Sequence, residues 1–135
     1  MPRIFRVIVP VEDMALADRF YEAVLGLTVD PVVPTRHYFH CEGVILACVD
    51  PREHGAAHRP NPDTLYFAVD DLEAVYGRAR AAGARPLDMG DPGAGGSGIE
   101  KRPWGERSFY CADPFGNPLC FVDAATLFTG SHPPD

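Results

Sequence analysis

The sequence predicts an α+β protein built from two tandem βαβββ modules, and three observations carry that expectation. A nearly unbroken β-branched and aromatic run leads to an aspartate, then to apolar residues at helical spacing closed by a glycine. The same order returns in the second half, where Asp71 and Gly83 stand to Asp13 and Gly26 at about the same offset. Each helix is followed by short segments separated by turn residues, the pattern of paired strands.

Residues 4–11 read as a central strand, dense in Ile, Val and Phe. Asp13 offers an N-cap to a helix over 14–25, whose stripe is Leu16, Phe20, Ala23 and Val24, and Gly26 stops it. Residues 27–33 form a short strand ended by Pro34. Residues 37–41 and 44–49 flank Glu42-Gly43, a two-residue hairpin turn. A polar linker broken by prolines covers 50–63, after which the pattern restarts. Residues 65–69 are a strand, Asp71 is the cap, and Leu72, Val75, Tyr76 and Ala79 are the helical stripe. A further strand begins at Pro86. SFYCADPFGNPLCFVD, residues 108–123, reads as strand, tight turn, strand. Between these lies DMGDPGAGGSGIEKRPWGE, residues 88–106, too glycine-rich for an element and long enough for a lid. One domain over 1–135 is expected, with module one at about 1–58 and module two at about 59–128.

With 46% hydrophobic residues and a net charge of -7, the composition is that of a soluble globular protein. The acidic balance and the absence of a Lys/Arg cluster argue against nucleic acid. No apolar run reaches the length of a membrane span, and MPRIFRVIVPVED reads as a strand running into a helix rather than as a signal peptide. Cys41, Cys48, Cys111 and Cys120 lie in strand-like segments without CxxC spacing, so reduced thiols and a cytoplasmic location are expected.

The helix PVEDMALADRFYEAVLGL and the closing WGERSFYCADPFGNPLCFVD, set in two tandem modules, resemble the vicinal oxygen chelate superfamily. That superfamily includes glyoxalase I, extradiol dioxygenases, fosfomycin-resistance enzymes and bleomycin-binding proteins. The likeness runs from Ile4 to Asp123. It implies that two curved mixed half-sheets form a cup with the helices on the outer face, and that the chain is a homodimer. In metal-dependent members strands one, four, five and eight each put a His, Gln or Glu into the cup. Laid on that pattern, Arg6, Leu46, Thr64 and Cys120 take the four places. Arg is permanently protonated, Leu has no donor and Thr is a weak one, so no metal and no other cofactor is expected.

If the family register holds, alternation carries Cys48 and Val44 into the cup with Leu46, and His37, Phe39 and Cys41 across the turn. On the second module it carries Tyr66 with Thr64, and Glu106, Ser108 and Tyr110 together. His40 then faces the helix. A one-residue slip would exchange the two faces.

Each candidate has a plainer reading beside the functional one. An inward Arg6 requires a partner, either an internal acid such as Glu106 or the carboxylate or phosphate of a ligand. His37 is either a hydrogen-bonded half-buried residue or, with Cys48 and Cys120, part of a metal or nucleophile–base site. Cys120 reads as a small apolar wall residue, or as a reactive thiol should Arg6 lower its pKa. Trp104, Tyr66, Tyr110 and Phe39 are core aromatics or the lining of a pocket for a flat molecule. His54 and His58, four apart in a broken linker, read as solvated loop. The expectation is a metal-free protein that binds a small aromatic or cationic molecule. The alternative is a lyase or isomerase with Glu106, His37 or Tyr110 as acid or base, around a noncanonical acid/base or metal site.

Overall fold

A computed structural model describes residues 1–88 and 98–130. It contains two helices and two open mixed sheets of four and five strands. The first module runs β1 (Arg6–Pro10), α1 (Met14–Leu25), β2 (Asp30–Val33), β3 (Arg36–Cys41) and β4 (Val44–Val49), then a single 3₁₀ turn (Pro51–His54). The second runs β5 (Leu65–Val69), α2 (Leu72–Ala81), β6 (Arg85–Pro86), β7 (Glu100–Lys101), β8 (Arg107–Ala112) and β9 (Pro118–Asp123). Nine of the nineteen residues of the expected lid, 89–97, lie outside the described residues. Its flank at Glu100–Lys101 pairs with β8.

Both modules are wired alike. The first strand lies parallel to the last, β1 to β4 and β5 to β9, and the others add antiparallel, giving orders β1-β4-β3-β2 and β5-β9-β8-β6. The helices start where the sequence says: Asp13 accepts from Leu16 N and Asp71 from Ala74 N, each at 3.1 Å. Gly26 closes α1 in the left-handed conformation, whereas α2 ends at Ala81 and is capped by Ala82, ahead of Gly83. The Glu42-Gly43 turn has positive φ at both residues, 43° and 87°, which matches the twist of the β3–β4 hairpin.

Each helix covers one face of its own sheet, and the two helices touch. Arg78 of α2 donates to the carbonyls of Ala23 and Val24 at the end of α1. Phe20, Tyr21, Val24, Val9, Phe39 and Leu46 from module one share a core with Leu72, Val75, Phe109, Leu119 and Phe121 from module two. The opposite face of each sheet is only partly covered by the described residues, with Ile8 and Tyr66 exposed on the edge strands.

The DPFGN turn between β8 and β9 joins the modules. Asp113 is buried and accepts four hydrogen bonds: Tyr21 Oη at 2.6 Å, Phe115 N at 2.9 Å, Asn117 N at 2.8 Å and Asn117 Nδ2 at 2.8 Å. Asn117 Nδ2 also donates to Pro10 O, and its Oδ1 accepts from Asn61 N. Burial, then the Asp113 charge, pushes the Tyr21 phenol well above its usual range, so it stays a donor. Gly116 takes φ 87°, and a Cβ there would come within 3.2 Å of Pro60.

Removing one partner from this network leaves a buried charge under-bonded. Tyr21→Phe is expected to cost about 1.5–3 kcal/mol in urea unfolding, the worth of a hydrogen bond to a charged group. Asn117→Ala, which strips several bonds, costs more.

Candidate functional site

Strand pairing decides which side chains share the open face of the first sheet. Arg6 sits opposite Ile45 and Ile8 opposite Ala47, while Val7 sits opposite Leu46 and Val9 opposite Cys48. Arg6 therefore shares its face with Ile45, Ala47, Arg36, Tyr38 and His40. Leu46, Cys48, His37 and Phe39 lie on the other face, against the helix. Val44 and Cys41 share that face, so the sequence reading of these six residues, and of His40, is corrected by one position. His37 Nδ1 is bonded to Asp18 of α1 at 2.8 Å, which satisfies a polar side chain on the helix side. His40 is exposed on the open face beside Asp30, at 2.9 Å.

On the second sheet the expected register holds. Tyr66 pairs with Cys120, and Cys120 with Tyr110; Ser108 pairs with Val122. Thr64, one residue ahead of β5, falls on the Tyr66 side by alternation. Arg102 is buried over this face. It donates to Ser108 Oγ at 2.9 Å and to Ser108 O at 3.1 Å, and its guanidinium lies 4.9 Å from the Tyr110 ring centre. Tyr66 and Tyr110 meet edge to face, with their hydroxyls 3.5 Å apart. The sequence singled out Ser108 and Tyr110 but missed Arg102, because it lies in the glycine-rich stretch that carries no period.

Outside this layer lies a hollow of about 420 Å³ lined by Tyr66, Ala68, Trp104, Glu106, Val122 and Phe128 among others. Glu106 is fixed at its wall: Oε1 accepts from Trp104 Nε1 at 2.7 Å and Oε2 from Phe128 N at 2.9 Å. Each carboxylate oxygen keeps lone-pair capacity for a ligand. The expected Arg6–Glu106 pair does not form, since Arg6 donates instead to Tyr38. A larger groove of about 600 Å³ runs between the modules, past Leu25, Leu46, Phe67 and Val75. Its walls are mostly core residues, and Arg78 on its rim is already bound to α1, so the aromatic hollow is the better candidate.

Cys120 is buried under Tyr110, Leu87 and Val122. Burial raises its thiol to about 11, with hydrogen bonds from Ser108 and Tyr110 opposing. Burial likewise lifts Tyr110 far above its ordinary value and Cys111 to about 12. Cys120 is thus a wall thiol, and Tyr110 donates a proton in hydrogen bonds without giving it up. Of the four places where the superfamily puts metal ligands, Arg6, Thr64 and Cys120 lie on the open faces and Leu46 does not. An arginine, an alcohol and a protonated buried thiol do not make a divalent-metal donor set. Among the described residues no group of three His, Cys, Asp or Glu side chains is placed to hold a metal ion.

The glyoxalase/bleomycin resistance protein/dioxygenase superfamily profile matches residues 3–121. The chain belongs to that superfamily. Its fold is similar to a glyoxalase-related enzyme from Fulvimarina pelagi, with TM-score 0.75 and 20% identity over 97% of this chain and 94% of that one. It is also similar to the oxidase ChaP-H2, with TM-score 0.70 and 26% identity over 90% and 93%. Lactoylglutathione lyase from Agrobacterium tumefaciens aligns with TM-score 0.67 and 23% identity over 91% and 94%. No curated protein sequence matches the chain significantly.

The raised thiols give a prediction with a defined sign. At pH 8 a thiol moved from 9.0 to about 11 carries about a hundredfold less thiolate, so iodoacetamide should leave Cys120 of this glyoxalase-superfamily chain unmodified until it unfolds. The same shift means the folded state holds its proton more tightly. The stability contribution is complete below pH 9 and is lost as pH rises from 9 toward 11, which alkaline urea titrations of wild type and Cys120→Ala would reveal.

Proposed function

We propose that the chain is a metal-free small-molecule-binding member of its superfamily, a cytoplasmic homodimer holding an aromatic or cationic ligand on the open face of the second sheet. The observation that carries this reading is the convergence of Tyr66, Trp104 and Phe128 around the Glu106 carboxylate. Ring faces attract a cation through their quadrupole, a fixed carboxylate adds charge, and flat walls match a flat ligand. Thr64, Ser108, Tyr110 and Cys120 form the sheet surface behind. No helix of the described residues is long and apolar enough to cross a membrane.

A second reading, an acid/base lyase or isomerase, draws support from the same carboxylate. Glu106 held by two N–H donors is a positioned base, and Tyr110 a permanent donor. Turnover of a carbonyl substrate, lost in Glu106→Gln, would decide for it.

Trp104 is the sole tryptophan, so its fluorescence reports the hollow directly. Phenyltrimethylammonium is expected to change it saturably. Tyr66→Ala should weaken binding by about fivefold to thirtyfold, the scale of a 1–2 kcal/mol cation–π contact. An unchanged affinity in both Tyr66→Ala and Glu106→Gln would refute the site. Metal content is measured by mass spectrometry on protein purified without tag or chelator, and a stoichiometric transition metal would overturn the metal-free reading. Sedimentation velocity is expected to give a dimer.

A further inference from the structure

The open face of the first sheet carries a group of opposite charge. β1 and β3 flank β4, so Arg6, opposite Ile45, and Tyr38, opposite Ala47, reach toward each other across the central strand. Arg6 Nη1 donates to Tyr38 Oη at 3.4 Å, and Arg36 Nη1 donates to the same oxygen at 3.2 Å. Two guanidinium groups thus converge on one neutral phenol oxygen. Arg36 has an acid partner in Glu53, at 3.3 Å. Arg6 has no carboxylate partner among the described residues; its guanidinium lies 5.1 Å from the Phe5 ring centre instead. His40, next on this face, is already engaged by Asp30. The face carries two arginines and two carboxylates, but Glu53 is bonded to Arg36 and Asp30, opposite Tyr38, to His40, so Arg6 has no ion pair of its own among the described residues.

Apolar side chains flank Arg6. Ile8 and Phe5 are half-exposed apolar side chains beside Arg6. A guanidinium fork matches the two oxygens of a planar oxyanion, and a phenol hydroxyl adds a third donor. The Arg36 hydrogen bond first, and Arg6 after it, draws the Tyr38 phenol below its ordinary value, which marks the spot as one that favours negative charge.

We propose that Arg6, Tyr38 and Arg36 form a receptor for a carboxylate carried on a small apolar or aromatic molecule. The two guanidiniums and the Tyr38 hydroxyl hold the oxygens, and Ile8 and Phe5 shelter the apolar part. This site lies on the other sheet from the Trp104 hollow and stands without it.

The test is benzoate binding to the full chain, followed by calorimetry or by proton chemical shifts, with benzamide as the uncharged isostere. Benzoate is expected to bind saturably and benzamide not to bind. Arg6→Gln should weaken benzoate by about tenfold or more, and Tyr38→Phe by a smaller factor. Arg6→Lys keeps the charge but loses the fork, and is expected to fall between wild type and Arg6→Gln. Trp104 fluorescence should stay unchanged on benzoate addition, which separates this site from the aromatic hollow. No saturable binding to wild type, equal binding of benzamide, or undiminished affinity in Arg6→Gln would each overturn the proposal. So would an Arg6→Gln chain that loses its dimer but keeps its benzoate affinity, because Arg6 would then be a subunit contact.

Discussion

The buried carboxylate of Asp113 is the constraint on which the arrangement of the two modules depends. A charge taken out of water is tolerated only when its oxygens are bonded, and here the donors come from both halves of the chain. Tyr21 reaches it from α1, while Phe115 and Asn117 reach it from the β8–β9 turn. Asn117 then spends its remaining capacity on Pro10 of β1 and on Asn61 of the linker. The hydrophobic core can tolerate small slips between two apolar surfaces; a four-bonded buried carboxylate cannot. The turn therefore fixes how the second module sits on the first.

That fixation determines which faces remain open. Once α1 and α2 meet and the inner faces of both sheets share a core, the described residues cover the Arg6 and Tyr66 faces only in part. On the second sheet the layering is chemical. Buried Arg102 stacks on Tyr110 and ties down Ser108, Cys120 lies protonated beneath, and the exposed Tyr66, Trp104 and Glu106 form the outer surface. The inner residues shape the platform, and the outer ones are available for contact.

Much of this was legible in the sequence, and the failures have local causes. Both helix starts could be read from their aspartates because capping is a contact within four residues. The second sheet's faces were legible because Tyr66, Ser108 and Tyr110 alternate with the core residues Phe67, Phe109 and Cys111. The first sheet gave no such signal. Residues 44–49, VILACV, are apolar on both faces, and in RHYFHC polar and aromatic residues fill both. His37 faces the helix only because Asp18, on α1, supplies its partner, a tertiary fact invisible to alternation. The DPFGN turn was legible as a hairpin but not as a clamp, since its partners Tyr21 and Pro10 lie about a hundred residues away.

The slip on the first sheet also changes what Arg6 means. With Leu46 and Cys48 beside it, an inward arginine would sit in an apolar wall, and an internal acid would be the natural partner. With Tyr38 and Arg36 beside it, the arginine joins a cluster in which Glu53 is bonded to Arg36 and not to Arg6. Glu106, the acid the sequence suggested, is held by Trp104 and Phe128 on the other sheet. The two open faces thus differ in chemistry: one gathers two guanidiniums on a phenol, and the other sets a carboxylate among aromatic rings above a buried guanidinium. A surface that differs so sharply between two copies of one module is unlike a repeat preserved for packing, because packing constrains the helix-facing residues and leaves the open faces free to diverge. The divergence lies on the two faces proposed to hold ligands.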